Sequence, residues 1–69
     1  MKIKVNGREE LIHLENEELF LLRIIVFLGY DPQTVVVELN NLIINSKKWD
    51  SKKLKDGDKL EIVSIVGGG

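Results

Sequence analysis

The sequence contains no cysteine and a single histidine, His13. It therefore has no means of forming a disulfide or a thiolate metal site, and one histidine alone does not build another kind of metal centre. We expect no bound metal and no bound cofactor. His13 lies opposite the apolar positions of a predicted strand, so we interpret it as a surface residue and assign it no chemistry.

Long apolar runs and signal sequences are also missing. No run approaches the roughly 20 residues that a membrane-spanning helix needs. Residues 1–5 already alternate like a strand, which leaves no room for a signal peptide. We expect a cytoplasmic protein with no membrane contact. The net charge is −1 and aromatic residues make up 6% of the chain, which argues against a nucleic-acid partner.

The amino-terminal residues predict a β-hairpin. Residues 2–6 alternate with Ile3 and Val5 on one face, which is typical of a half-buried strand. Asn6-Gly7 is the strongest short-range hairpin signal, because a type I′ turn needs a positive φ at both central positions. Residues 9–14 then predict the return strand, with Ile12 and Leu14 pointing inward.

A helix is predicted from the N-cap residue Asn16 to about Leu28, with Gly29 ending it. Ten residues, 19–28, include only one polar side chain, so the helix has more apolar residues than one buried face requires. The surplus residues are Leu22, Val26 and Phe27. Two interpretations have equal weight: a surface for self-association or a partner, or a helix buried more deeply than its periodicity indicates.

The second half of the chain predicts the remaining strands. Residues 35–39 form a strand, Asn40-Asn41 turns the chain, and residues 42–44 return. Residues 45–54 are polar and irregular, anchored by Trp49 and Leu54. Residues 59–66 are apolar on both faces, which is typical of a central strand. One helix covering one face of a mixed sheet of four to five strands predicts an α+β fold. The expected core comprises Ile3, Val5, Leu21, Ile24, Ile25, Leu28, Val35, Val37, Leu60 and Ile62.

The usual catalytic residues are missing, and the carboxyl terminus is the most unusual chemical group. There is no cysteine nucleophile, no credible serine–histidine–acid set and no glycine-rich phosphate loop before a helix. We therefore predict that the protein is not an enzyme. Residues 1–66 form the predicted domain, and Gly67, Gly68 and Gly69 form a flexible tail with a free carboxylate. The triplet alone fits a frayed terminus equally well.

Several motifs resemble those of the ThiS family, the sulfur carrier proteins of thiamin biosynthesis. The resemblance extends over nearly the whole chain, and the Asp56-Gly57-Asp58 turn, the strand after it and the terminal glycines are together fairly specific. The motifs are Val5-Asn6-Gly7, Leu28-Gly29-Tyr30-Asp31-Pro32, residues 35–40, Trp49, residues 54–63 and Val66-Gly67-Gly68-Gly69. Asn45-Ser46 differs from the family's usual Pro-Arg, and Leu22, Val26 and Phe27 stand where the family has charged residues.

The resemblance implies a ubiquitin-like β-grasp fold and a role for the carboxylate of Gly69. A ThiF-type adenylyltransferase would adenylate it with ATP. A sulfur-donating enzyme would supply sulfur for a thiocarboxylate, and a thiazole synthase would accept that sulfur. One alternative is a molybdopterin-synthase-type carrier or a ubiquitin-like protein modifier, which share the adenylation step. The other is a β-grasp interaction module whose tail has no chemistry.

Overall fold

The protein forms a five-stranded mixed sheet with one helix packed on one face, as the sequence predicts. A computed structural model describes residues 1–15 and 18–65. The elements are β1 (Lys2–Val5), β2 (Arg8–Leu11), α1 (Leu21–Phe27), β3 (Val35–Leu39), β4 (Leu42–Ile43) and β5 (Lys59–Ser64). The strand order across the sheet is β2-β1-β5-β3-β4, so β5 is the central strand.

The last strand joins the two halves of the sheet. It pairs in parallel with β1, where Val5 is opposite Leu60, and antiparallel with β3, where Val37 is opposite Ile62. The outer pairs, β1 with β2 and β3 with β4, are antiparallel hairpins. The strand β5 lies between two hairpins that precede it in sequence, so earlier parts of the chain flank it on both sides.

Both hairpins turn through two residues with positive φ. Asn6 and Gly7 have φ values of 51° and 83°, which confirms the predicted type I′ geometry. Asn40 and Asn41 have φ values of 51° and 73° and connect β3 to β4 without any glycine. Asparagine tolerates this left-handed region better than most residues, because its short polar side chain bonds to nearby backbone.

The core lies between the helix and the inner face of the sheet. Every predicted core residue is buried except Leu28, which is half-buried against the others. Trp49 and Leu54 are also buried, so the prediction that they anchor the irregular segment is confirmed. The Trp49 indole N–H donates to the carbonyl of Ile44 at 2.9 Å, which satisfies its one polar group. The remaining buried apolar residues are Ile12 and Leu39.

The helix is shorter than predicted, because α1 begins at Leu21. The preceding residue, Phe20, has an extended backbone and forms an antiparallel bridge with Lys53. Next to this bridge, Leu54 N donates to Leu19 O at 2.8 Å and Leu21 N donates to Lys52 O at 2.7 Å. These long-range bonds occupy the backbone that would have formed the first helical turn. The predicted N-cap, Asn16, lies outside the described residues.

The helix ends as the sequence predicts. Gly29 has a φ of 92° and donates its N–H to Val26 O at 3.0 Å, while Tyr30 N donates to Ile25 O at 3.1 Å. This pair of bonds is the Schellman arrangement, in which a left-handed residue satisfies the last helical carbonyls. It directs the chain back towards the sheet before the Asp31-Pro32 turn.

The second strand is also shorter than predicted, since β2 covers Arg8–Leu11 rather than residues 9–14. Ile12 is nevertheless buried and exchanges backbone hydrogen bonds with Met1, and Leu14 is half-buried against the core. Both side chains therefore point inward, as expected. Among residues 1–15 and 18–65, no helix is long and apolar enough to cross a membrane.

Candidate functional site

The candidate site is the carboxyl end of β5, from which the glycine tail continues. Val66, Gly67, Gly68 and Gly69 lie outside the described residues, so the predicted tail and the domain boundary at residue 66 stay predictions. The last described residue is Ile65, whose N–H donates to the carbonyl of Thr34 at 2.8 Å. This bond fixes the point at which the chain leaves the β3 side of the sheet.

A short turn before β3 holds the Thr34 carbonyl in place. Residues Pro32–Thr34 form one turn of 3₁₀ helix, and Asp31 precedes it. The Asp31 carboxylate accepts from Gln33 N at 3.0 Å, and the Asp31 carbonyl accepts from both the N–H and the hydroxyl of Thr34 at 3.0 Å. Asp31 thus caps a turn that holds the Thr34 carbonyl in position to accept from Ile65 N.

Asn6 holds the other side of the same strand. Its side-chain Oδ1 accepts from Ile62 N at 2.7 Å, and its Nδ2 donates to Ile62 O at 3.1 Å. Its backbone N–H donates to Leu60 O at 2.9 Å. The sequence predicted Asn6 only as a turn residue, since its contact with Ile62 joins positions 56 residues apart.

The outer face of the sheet beside the tail is apolar and exposed. Val63 and Ile65 are 58% and 63% exposed, and Ile43 on the edge strand is 71% exposed. Val36 is half-buried directly opposite Val63. A shallow groove of about 700 Å³ continues from Ile65, Val36 and Ile43 round the β4 edge towards the helix.

The exposure of this face was not predicted. The sequence indicated a central strand with apolar residues on both faces, and in the structure only Leu60 and Ile62 of β5 point into the core. No second helix covers the outer face within residues 1–15 and 18–65. The sequence carried a signal for this: Lys59 and Glu61 share the face of Val63, and charged residues seldom line a core.

The predicted helix surface is exposed in part. Val26 and Phe27 are 46% and 44% exposed, whereas Leu22 is half-buried and packs against the core. Deep burial of the helix is therefore wrong for Val26 and Phe27. Next to them, Arg23 pairs with Glu18 at 3.0 Å on the surface. The helix packs on the inner face of the sheet, so this surface and the outer-face patch point in different directions.

One titratable group beside β5 has defined structural partners. Asp58 is buried at the start of the strand, where its carboxylate accepts from Lys55 N at 2.9 Å and from Asn40 Nδ2 at 3.1 Å. Among residues 1–15 and 18–65, no cluster of acidic or histidine side chains could hold a metal ion. His13 is exposed, as expected. The described part of the site thus presents a strand end beside an exposed apolar face.

Comparison with known proteins identifies the family. Residues 3–69 match the ThiS family. The chain belongs to this family. Its fold matches the crystal structure of the thiamine biosynthesis protein ThiS from Geobacter metallireducens with a TM-score of 0.82, at 30% identity over the whole of both chains. The solution structure of a thiamine biosynthesis protein from the same organism gives a TM-score of 0.80, also at 30% identity, over the whole of this chain and 88% of that one.

The relatives found by sequence include both small proteins and much longer ones. The protein ycf40 of Trieres chinensis is 34% identical over 65 residues, which cover 94% of this chain and 85% of that protein. A thiazole synthase of Paramagnetospirillum magneticum is 35% identical over all 69 residues, but the match covers only 20% of its length. The chain thus corresponds to most of a small protein in one case and to one fifth of a larger protein in the other.

Family membership confirms the resemblance inferred from the motifs and the ubiquitin-like β-grasp fold. It supports a role as a small sulfur carrier rather than as an enzyme. The residues that carry the resemblance include Asn6, Gly29 and Asp58, each of which has a defined backbone or hydrogen-bonding role in the structure.

Proposed function

We propose that the protein is a sulfur carrier whose Gly69 carboxylate is activated by adenylation and converted to a thiocarboxylate. The observation that carries this proposal is the position of β5. It is the central strand, it is held on both sides near its end by Asn6 and Thr34, and Gly67, Gly68 and Gly69 follow it closely in sequence. A rigid strand that continues into residues without side chains suits delivery of a carboxylate to a narrow active site.

The chemistry needs a partner, because a carboxylate is a poor electrophile. In the first step a carboxylate oxygen of Gly69 attacks the α-phosphorus of ATP, and the bond to pyrophosphate breaks. In the second step a sulfur nucleophile at the oxidation level of hydrosulfide attacks the carbonyl carbon, and AMP leaves. The product is a C-terminal thiocarboxylate, and ATP belongs to a ThiF-type adenylyltransferase rather than to this chain.

The sulfur acceptor we propose is a thiazole synthase of thiamin biosynthesis. This chain aligns in full with one fifth of thiazole synthases from Paramagnetospirillum magneticum and Magnetococcus marinus. A carrier-like segment within the same polypeptide as its acceptor would raise the effective concentration of one for the other. This relationship favours thiazole formation over molybdopterin synthesis or protein modification.

The exposed outer face of the sheet supports docking of these enzymes beside the tail. Val63 and Ile65 lie immediately before the tail, so a partner that covers them would receive the carboxylate within a few residues. An exposed apolar patch of this kind commonly marks an interaction surface.

Intact-mass analysis tests the proposed function. The protein is incubated with ATP, a ThiF-type adenylyltransferase and a sulfur donor, and an established carrier of the family serves as positive control. We expect one oxygen at the carboxyl terminus to be replaced by sulfur, with no change when ATP is omitted. Conversion of the control carrier without any change in this protein would contradict the proposal.

A further inference from the structure

The parallel ladder between β1 and β5 is shorter than β5 itself. Its last residue pair is Val5 with Leu60, whereas β5 continues to Ser64. Ile62 is the next residue of β5 whose backbone groups face β1, and it is buried. A side chain rather than a backbone therefore has to satisfy its N–H and carbonyl groups, because unpaired buried backbone groups are costly.

Asn6 performs this task because a side-chain amide has the same donor and acceptor groups as a peptide. Its Oδ1 accepts from Ile62 N at 2.7 Å, and its Nδ2 donates to Ile62 O at 3.1 Å. A second Nδ2 contact reaches the Tyr30 hydroxyl at 3.4 Å. Aspartate has no donor for the Ile62 carbonyl, and glycine has no side chain at all.

A second asparagine holds the other end of the same strand and gives a matched comparison. Asn40 also has a φ of 51°; its Oδ1 accepts from Lys59 N at 3.0 Å and its Nδ2 donates to Asp58 at 3.1 Å. Lys59 is the first residue of β5, whereas Ile62 is three residues before Ile65. The two asparagines therefore share a φ value and each accepts from a backbone N–H of β5, but only Asn6 acts near the tail.

We propose that Asn6 is a positioning residue for the C-terminal tail. Its amide and the Thr34 carbonyl hold the end of β5 from opposite sides, so together they fix the direction in which the chain leaves the sheet at Ile65. This inference rests on the proposed function for its effect on adenylation. The effect on the strand itself needs no partner.

The test compares Asn6→Gly with Asn40→Gly in the full-length protein. Glycine accepts a positive φ without strain, so each substitution removes the side-chain amide and keeps the turn. Amide hydrogen exchange of Ile65 is measured by NMR, and kcat and KM for adenylation are measured with a ThiF-type adenylyltransferase and ATP. Asn6→Asp is a third variant, which keeps the acceptor for Ile62 N and places a carboxylate oxygen against the Ile62 carbonyl.

We expect Asn6→Gly to increase exchange at Ile65 at least about tenfold and to lower kcat by about tenfold, with KM little changed, since small misplacements of a reacting group are costly. Asn6→Asp should show the same changes in exchange at Ile65 and in kcat as Asn6→Gly. Asn40→Gly should increase exchange at Lys59 and leave Ile65 and kcat near wild type. These results together would support the positioning role.

Two results would overturn the positioning role. The first is that Asn6→Gly increases amide exchange only at Ile62 and keeps the wild-type kcat. The second is that Asn6→Gly and Asn40→Gly lose kcat equally, in proportion to their loss of stability. If the wild-type protein is not adenylated, the proposed function fails. The exchange rate of Ile65 then decides the positioning role alone, since an unchanged rate in Asn6→Gly overturns it and an increased rate supports it.

Discussion

The side-chain amide of Asn40 donates to the buried carboxylate of Asp58 at 3.1 Å, which ties the turn after β3 to the start of β5. The same carboxylate accepts from Lys55 N at 2.9 Å. The Lys55 ammonium group lies 3.9 Å away but is almost fully exposed, so it adds little. Asp58 is therefore a structural acceptor that holds together the two turns beside the start of the central strand.

We predict that Asp58→Ala lowers the free energy of unfolding by about 1–3 kcal/mol, because two donors lose their acceptor. Urea unfolding followed by the fluorescence of Trp49, the single tryptophan, measures this loss. The control is Asp50→Ala at an exposed position, which should change stability by less than about 0.5 kcal/mol. Equal values for the two variants would contradict the structural role.

Two glutamates oppose each other on the outer face of the sheet. Glu38 of β3 is directly opposite Glu61 of β5, and like charges at this position are destabilising. We predict that Glu38→Lys raises the free energy of unfolding by several tenths of a kcal/mol, up to about 1 kcal/mol. The gain should shrink in high salt, which screens exposed charges. A loss of stability at low salt would show that the pair does not repel.

The exposed helix residues give a separate prediction. We expect Phe27→Glu to change the free energy of unfolding by less than about 1 kcal/mol, since Phe27 is 44% exposed, and Ile24→Ala to cost about 2–5 kcal/mol. Sedimentation over a wide concentration range tests whether the surface formed by Val26 and Phe27 drives weak self-association. In that case the wild-type protein associates and Phe27→Glu is monomeric. A wild-type protein that is monomeric throughout would exclude self-association through this surface.

The parts of the fold that sequence predicted are those set by local backbone requirements. Asn6-Gly7 needs positive φ at two positions, and Gly29 ends the helix in the left-handed region, so each is visible in a few residues. The predicted start of the helix was wrong because residues 52–54 bind the backbone of residues 19–21. No local sequence pattern indicates such a contact. The bond between Asn6 and Ile62 was missed for the same reason.

The candidate site was also predicted only in part. The central position of β5 was predicted from its apolar composition, while the exposure of Val63 and Ile65 was not. Apolar residues on both faces of a strand do not distinguish a buried face from an interaction face, because both require the same side chains. The charges of Lys59 and Glu61 on the outer face were the local indication that solvent reaches it.

The outer face gives a prediction about partner binding. We expect Val63→Lys to raise KM for the adenylyltransferase by about tenfold, because it places a charge in an apolar interface. The stability cost should stay within about 1 kcal/mol for an exposed strand position. Leu11→Lys is the matched control, since Leu11 is an apolar residue of similar exposure that lies on the edge strand β2 and not on the central strand β5. A KM for Val63→Lys equal to that of the wild-type protein would exclude Val63 from the docking surface.

Substitutions in the tail should reduce adenylation but not stability, whereas substitutions in the core should reduce stability. The described core ends at Ile62, and glycine has no side chain to add to it, so we expect the core to remain intact when Gly69 is removed. We predict that deletion of Gly69 or Gly68→Val leaves the melting temperature close to wild type, whereas Ile24→Ala lowers it clearly. Deleting Gly69 withdraws the carboxylate by about 3.5 Å, and valine at position 68 adds a branched side chain where a narrow active site would need none.

Both tail variants should therefore lose adenylation by on the order of 100-fold or more, because a misplaced reacting group loses rate steeply. Ile24→Ala should retain adenylation at temperatures where it is folded. A melting curve beside a pyrophosphate-release assay for each variant separates the two effects. Early melting of a tail variant, or its adenylation at the wild-type rate, would show that the domain does not serve to present this terminus.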